Sequence, residues 1–292
     1  MTSLADLHLH STISDGRLKP AELVALAYKN GVRVMALTDH DIVDGLPAAF
    51  EAAKKYDDFT LIPGIEMSTD VPGNEVHILG HFIDWQSEDF RAKLLHLQDS
   101  RLGRAQRMVE RLTELGKPVE WERVQSFAEG AVGRPHIALA LVEAGHVESV
   151  SEAFDKYISR TGPAYVERER LEPEEVVATI LGVGGLATLA HPRELNAAGS
   201  LDALLERLRT AGLTGMETYY QDYDSGEVKM FRKICERHEL LPLGGSDFHG
   251  MGGPKQREPG DIPLPIEPVN ELFRLAEERG AVERALLRHT YR

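Results

Sequence analysis

Short apolar runs alternate with amphipathic stretches along the first 90 residues. ADLHLHS (5–11), VRVMALTDHD (32–41), DFTLIPGIEMS (58–68) and NEVHILGHFID (74–84) have the short apolar runs and turn-bounded ends of strands. PAELVALAYKNG (20–31) has helical periodicity, with Pro20 at an early helical position and Gly31 as the stop, and LPAAFEAAKKY (46–56) is a second helix. This alternation predicts a parallel sheet or barrel. The rhythm then breaks. A long polar helix is expected from Glu88 to about Gly116, another over RPHIALALVEAGH (134–146) and a third over SVSEAFDKYIS (149–159), with no strand between them. Alternation resumes at Pro173, with strands in GLATLAHP (185–192), GMETYY (215–220) and LPLGGSDFHG (241–250) separated by helices, and a last helix in EPVNELFRLAEERG (267–280). About seven strands result, which suggests an incomplete (β/α) barrel built from residues 1–90 and 166–292, with 91–165 as a helical insertion capping its active site.

Composition narrows the class. Of 292 residues, 42% are hydrophobic and 27% charged, which excludes a disordered or collagen-like chain. The single cysteine, Cys235, excludes a disulfide scaffold and a four-cysteine zinc module. No apolar run approaches the roughly 18 residues of a membrane span, and MTSLADLHLH lacks the basic and apolar regions of a signal peptide, so a cytoplasmic protein with no membrane partner is expected. The net charge of −14 makes long duplex nucleic acid a poor partner. Residues 91–171 hold 13 basic and 12 acidic side chains, so the acidic excess lies elsewhere. An acidic body can still take an anion where metal ions supply positive charge.

The histidines change the picture most. Six of the 12 fall at or just beyond the ends of predicted strands: His8, His10, His40, His77, His191 and His249. Asp15, Glu66 and Asp247 take similar positions, and in α/β barrels the C-terminal ends of the strands build the active site. The i, i+2 spacing of His8 and His10 puts both imidazoles on one face of a strand, and Asp247 with His249 repeats it. Nine imidazole and carboxylate donors exceed what one ion needs and suit two or three divalent ions, with Glu66 as the bridge. The donor set accepts Mn²⁺, Fe²⁺ or Zn²⁺. His81, His96, His146, His238 and His289 read as surface or packing residues.

The segments DLHLHSTISDG (6–16), ALTDHD (36–41), GIEMS (64–68), EVHILG (75–80), AHP (190–192) and GSDFH (245–249) together resemble the PHP (polymerase and histidinol phosphatase) family. The resemblance implies a distorted (β/α)₇ barrel with a metal centre, Mn²⁺ first among the candidate ions and Mg²⁺ also acceptable. By the same resemblance His8, His10, Glu66 and Asp247 form a first metal site, Glu66, His77 and His191 a second, and Asp15, His40 and His249 a third, where Asp15 replaces the histidine of some members. His8, His10, Glu66, His191, Asp247 and His249 would carry the catalysis. VGRPHIA (132–138) resembles the branch acting on nucleoside 3′,5′-bisphosphates, whose relatives remove 5′ nucleotides from short RNA.

The chemistry implied is metal-assisted hydrolysis of phosphate monoesters of small nucleotides, to a nucleoside 5′-monophosphate and phosphate. The alternatives are a 5′→3′ exoribonuclease on short RNA and an amidohydrolase-type metal hydrolase. Arg134 and His136, at a predicted helix N-terminus, are candidate phosphate holders, joined by Ser11 and Arg160. Arg104, Arg107 and Arg111 share one helix face, as a solvated stripe or an oligonucleotide guide. Tyr219 and Tyr220 follow a strand end, and Lys255 and Arg257 lie in the glycine-rich loop beside Asp247.

Overall fold

A computed structural model of the chain describes residues 3–71, 74–128, 132–167, 171–197, 201–252 and 256–285. Seven strands form one sheet in chain order: β1 (Ala5–Asp6), β2 (Val34–Leu37), β3 (Thr60–Val71), β4 (Asn74–His81), β5 (Leu186–Leu189), β6 (Gly215–Tyr220) and β7 (Leu241–Gly245). Its two edges meet. Leu9 bridges Phe248, the His10 N–H donates to the Phe248 carbonyl at 3.1 Å, and the Asp247 N–H donates to the His8 carbonyl at 2.9 Å. The sheet is therefore a nearly closed barrel. Asp6 seals the seam, its buried carboxylate accepting from the N–H groups of Ser246 (2.9 Å) and Gly260 (3.0 Å).

Helices α1 (Pro20–Lys29) and α2 (Leu46–Ala53) join the first three strands. Strand residues alternate between two apolar clusters. Val34 and Ala36 point into an inner one, Met35 and Leu37 into an outer one beneath the helices. The long helix expected at Glu88 is α3 (Glu88–Glu114), followed by α4 (Trp121–Ser126), α5 (Arg134–Glu143) and α6 (Val150–Ala153). α6 passes into a π-helical turn, Phe154–Ile158. These elements gather their own apolar cluster around Met108, Leu112, Ile137 and Leu141. The chain then continues through α7 (Pro173–Gly182), α8 (Arg193–Ala197), α9 (Leu201–Ala211), α10 (Ser225–Arg237) and α11 (Ile266–Glu278). Val269, Leu272 and Ala276 of α11 join the inner cluster. No helix among the described residues is long and apolar enough to cross a membrane.

The expected all-parallel order fails at one strand. β4 runs antiparallel to both β3 and β5. Two residues separate Val71 from Asn74, enough for a hairpin and far too few for a crossover. β4 therefore ends at the opposite end of the barrel from β3. The 27 residues of α3, about 40 Å of helix, lead away from there. The return passes Leu171, whose carbonyl accepts from Thr69 Oγ1 near the end of β3, and α7 then leads back to Val183, which accepts from the Asp84 N–H at 3.1 Å.

His81 closes β4 inside the barrel wall. It is fully buried, its Nε2 lies 3.0 Å from the Leu7 carbonyl, and its Nδ1 has no hydrogen bond. Burial pushes this imidazole down to about 4 from the usual 6.5. The unfolded chain thus binds the proton more readily, so stability present above pH 6.5 is lost as pH falls toward 4. His81→Gln keeps a donor for Leu7 and does not titrate. Urea unfolding should show the difference in stability between wild type and this variant shifting by about 2–3 kcal/mol between pH 7 and pH 4.5. A pH-independent difference contradicts a neutral buried His81.

Candidate metal centre

The polar residues collect at the C-terminal ends of the parallel strands. β1 is shorter than expected, and His8 and His10 lie beyond it in an extended stretch whose Leu9 bridges Phe248. Their rings are 5.0 Å apart, on one side of the chain as the i, i+2 spacing requires. His40 follows β2 and bridges Glu66, which lies within β3 rather than after it. His77 sits inside β4, opposite Ser68. The expectation that it marks a strand's C-terminal end is corrected: β4 is reversed, so its N-terminal half meets the other strands' C-terminal ends.

Glu66 is fully buried at the centre. Its Oε2 lies 3.0 Å from His8 Nε2, 3.0 Å from His10 Nε2 and 3.2 Å from His40 Nδ1. Its Oε1 lies 2.8 Å from His77 Nδ1 and 3.2 Å from His191 Nε2. Asp247 Oδ1 joins His8 and His10 at 3.2 and 3.1 Å. Asp15 stands 3.3 Å from His249 Nε2 and 3.8 Å from both His10 Nδ1 and His40 Nε2. Three sets have donors close enough for one ion each: His8, His10, Glu66 and Asp247; His40, Glu66 and His77; and His10, Asp15, His40 and His249. His191 adds to the second through Glu66 and its 3.2 Å approach to His77.

These groups satisfy one another only in part: His8 and His191 hydrogen-bond Glu66, but other atoms of the cluster are left over. His10 Nε2, Asp15 Oδ1 and His40 Nδ1 are buried with no hydrogen bond of acceptable geometry. Buried polar atoms left so are costly, and divalent cations are the partners this donor set fits. Charge tells the same story. Burial opposes ionisation of Glu66, yet His40, His8 and His77 outweigh it and hold the carboxyl well below its usual range. Burial likewise opposes protonation of His77, but Glu66 and Glu75 push it up to about 10, whereas at His40 burial wins and the ring falls to about 3. Imidazoles must shed protons to coordinate, so metal uptake here releases them.

A surrounding layer fixes the donors, and sequence reasoning missed its main member. Glu217, fully buried on β6, has Oε1 3.0 Å from His8 Nδ1, while its Oε2 accepts the His191 N–H at 2.8 Å. It therefore holds the His8 tautomer that leaves Nε2 facing Glu66. The signal was available as a lone acid inside the apolar strand GMETYY. His191 and Asp247 have φ of +27° and +51°, a backbone region that side chains avoid unless surroundings impose it. Tyr220 donates its hydroxyl to Asp247 Oδ2 at 2.5 Å. A Cβ on Gly245 would stand 2.5 Å from that of His8, so only glycine fits behind this ligand.

Other expectations change. Ser11 is buried and donates to Asp39 Oδ2 at 2.7 Å, while Ser14 Oγ donates to Asp39 Oδ1 at 2.7 Å. Its hydroxyl fixes the turn after His10 instead of presenting to a phosphate. His136 is buried, its Nδ1 accepting the Gly133 N–H at the start of α5, so it caps the helix from within. Arg134 reaches Glu75, whose Oε1 lies 3.5 Å from His77 Nε2, so this guanidinium adjoins the cluster. Arg160 lies 3.6 Å from Glu167. The arginine stripe is broken up: Arg104 is buried and donates to the Val166 carbonyl, Arg111 donates to that of Tyr165, and Arg107 is exposed. Tyr219 packs in the inner cluster, and Arg257 donates to the Gln221 carbonyl. Lys255 and His289 lie outside the described residues.

A family model described as PHP domain matches residues 6–170. A 5′-3′ exoribonuclease of Haemophilus influenzae is 35% identical over 85% of this chain and 91% of its own. A 3′,5′-nucleoside bisphosphate phosphatase of Chromobacterium violaceum is 32% identical over 90% of this chain and 94% of its own. A solved structure from Bifidobacterium adolescentis, assigned as a metal-dependent phosphoesterase, superposes with a TM-score of 0.82 at 32% identity, covering 93% of this chain and 96% of that one.

Glu217→Gln preserves shape but turns an amide toward the His191 N–H or the His8 Nδ1–H, so one acceptor is lost. Metal affinity in a chelator-competition titration should fall by roughly 10–100-fold with the far-ultraviolet circular dichroism unchanged. Equal affinity in the two proteins means that His8 and His191 are held without Glu217.

Proposed function

The chain belongs to the PHP domain family, and from that premise we propose that this metal-dependent phosphoesterase removes the 3′-phosphate from nucleoside 3′,5′-bisphosphates. The observation that carries the reading is a cavity of about 340 Å³ opening beside His77 and His191 and lined also by Glu75, Arg193 and Tyr220. That volume suits one small ligand and leaves little room for a long strand.

Two or three divalent ions, Mn²⁺ first among the candidates, would be held by His8, His10, Glu66 and Asp247, by Glu66, His77 and His191, and by Asp15, His40 and His249. Bound there, they supply Lewis acidity toward the phosphoryl oxygens and the attacking water. The chain does the rest. Side chains of His8 and His10 have no solvent exposure, whereas those of His191 and His249 are 27% and 23% exposed, so the last two are the imidazoles an arriving substrate meets. Arg134 offers a bidentate fork to a substrate phosphate, which must compete with Glu75 for it, and Arg160, paired with Glu167, is the second candidate cation. On this reading residues 91–165 cap a barrel of 1–90 and 166–292, and the enzyme works in the cytoplasm without membrane or duplex.

A second reading, 5′→3′ cleavage of short RNA, is favoured by the similarity to the Haemophilus influenzae exoribonuclease. The decisive assay offers the Mn²⁺-loaded protein adenosine 3′,5′-bisphosphate and a 5′-phosphorylated RNA pentamer. Phosphate and adenosine 5′-monophosphate from the first, abolished by chelator and restored by Mn²⁺, are expected. Mononucleotides from the pentamer with no attack on the bisphosphate replace the first reading by the second. Arg134→Ala should raise KM for the bisphosphate about tenfold or more, the worth of one charge-assisted contact.

A further inference from the structure

One wall of the cavity is left unused by this chemistry. Arg193, the first residue of α8, lies with its guanidinium carbon 4.7 Å over the centre of the Tyr223 ring. It is not a free cation. Its Nε is 2.8 Å from Glu227 Oε1, its Nη2 donates to Glu227 Oε2 at 2.8 Å, and Nη2 also donates to the Asp222 carbonyl. A fork already engaged by a carboxylate has little left for phosphate. Its flat face is another matter, because guanidinium planes stack on aromatic rings.

The pair is anchored from below. The Tyr223 hydroxyl accepts the Arg193 N–H at 3.2 Å, and its ring stacks on fully buried Phe231 at 4.9 Å and 28°. Little side-chain freedom remains to be lost on binding, so the surface is preorganised. Arg193 and Tyr223 both line the cavity that His77 and His191 also line, and the Arg193 side chain is 39% exposed. A phosphate at the metal ligands would therefore leave the remainder of its molecule beside this surface.

We infer that Arg193 and Tyr223 form a stacking platform for the base of the nucleotide substrate. The inference rests on the phosphatase reading above. A neutralised planar stack presents no pattern of donors and acceptors aimed at a base edge. It therefore favours a nucleotide over a baseless sugar phosphate and treats purines and pyrimidines alike, since every base has a π face.

The test compares adenosine and uridine 3′,5′-bisphosphates with ribose 3,5-bisphosphate. The wild-type enzyme should favour both nucleotides by about tenfold or more in kcat/KM. Arg193→Lys, which keeps the charge opposite Glu227 but loses the plane, should bring that ratio toward one, mainly through KM. Tyr223→Leu should do the same and serves if the first variant misfolds. A ratio retained in both variants, or no discrimination in the wild type, overturns the platform while leaving the phosphatase reading in place. Should no phosphate be released from any of the three, the phosphatase reading falls. Calorimetry with adenosine 5′-monophosphate and ribose 5-phosphate then decides the platform. Roughly tenfold tighter binding of the nucleotide, lost in Arg193→Lys, supports it, and equal affinities refute it.

Discussion

Glu66 is a carboxylate with no access to water and five imidazole nitrogens within 3.2 Å of its two oxygens. Burying an ion costs several kcal/mol unless opposite charge is brought in with it. The barrel meets that condition by delivering imidazoles from several strands to one point, where they carry the positive charge as protonated rings, His77 among them, or share a divalent cation with the carboxylate. Each delivery depends on local order elsewhere: Asp39 fixes the turn after His10, Glu217 orients His8 and the backbone of His191, and Tyr220 steadies Asp247. Loosening one support unbalances a compact group of charges, and the rest of the architecture can be understood as keeping it together.

Much of this was legible in the sequence because the chemistry is written in short local patterns. An apolar run with histidine or aspartate close behind it can be recognised in one dimension, and strands of this kind, β2, β5 and β7 among them, mark out the barrel. Strand direction cannot be read that way. The alternation in NEVHILGHFID is the same whichever way the strand runs, so the reversal of β4 was hidden, although the short link before it was a clue. Residues whose role depends on a distant partner were equally hidden. Ser11 looked like a phosphate donor until Asp39 was placed beside it, and His136 looked like an anion ligand until its ring was seen to turn back on Gly133. Arg104 resembles Arg107 in sequence, yet the carbonyl of Val166 draws it into the interior.

The acidic balance of the chain takes on meaning in the same way. Cations near the cavity are not loose. Arg134 is held by Glu75 and Arg193 by Glu227, so neither offers an unopposed positive charge. On the proposed function, attraction for a phosphorylated ligand would fall to bound divalent ions, with the arginines giving direction and shape. This division accords with a protein that carries a net charge of −14 and belongs to a family of metal-dependent phosphoesterases.

The reversed fourth strand has a further consequence. It sends the chain to the far end of the barrel, so α3 must climb back along the outside, pairing Arg91 with Asp44 and packing Leu94 and Leu97 into the outer cluster, before the helical segment proper begins. The return passes Leu171 beside Thr69, near the end of β3. Both crossings therefore lie at the end where the histidines collect, and α3 and α7 stand as two uprights whose feet are tied by the hydrogen bond from Asp84 to Val183.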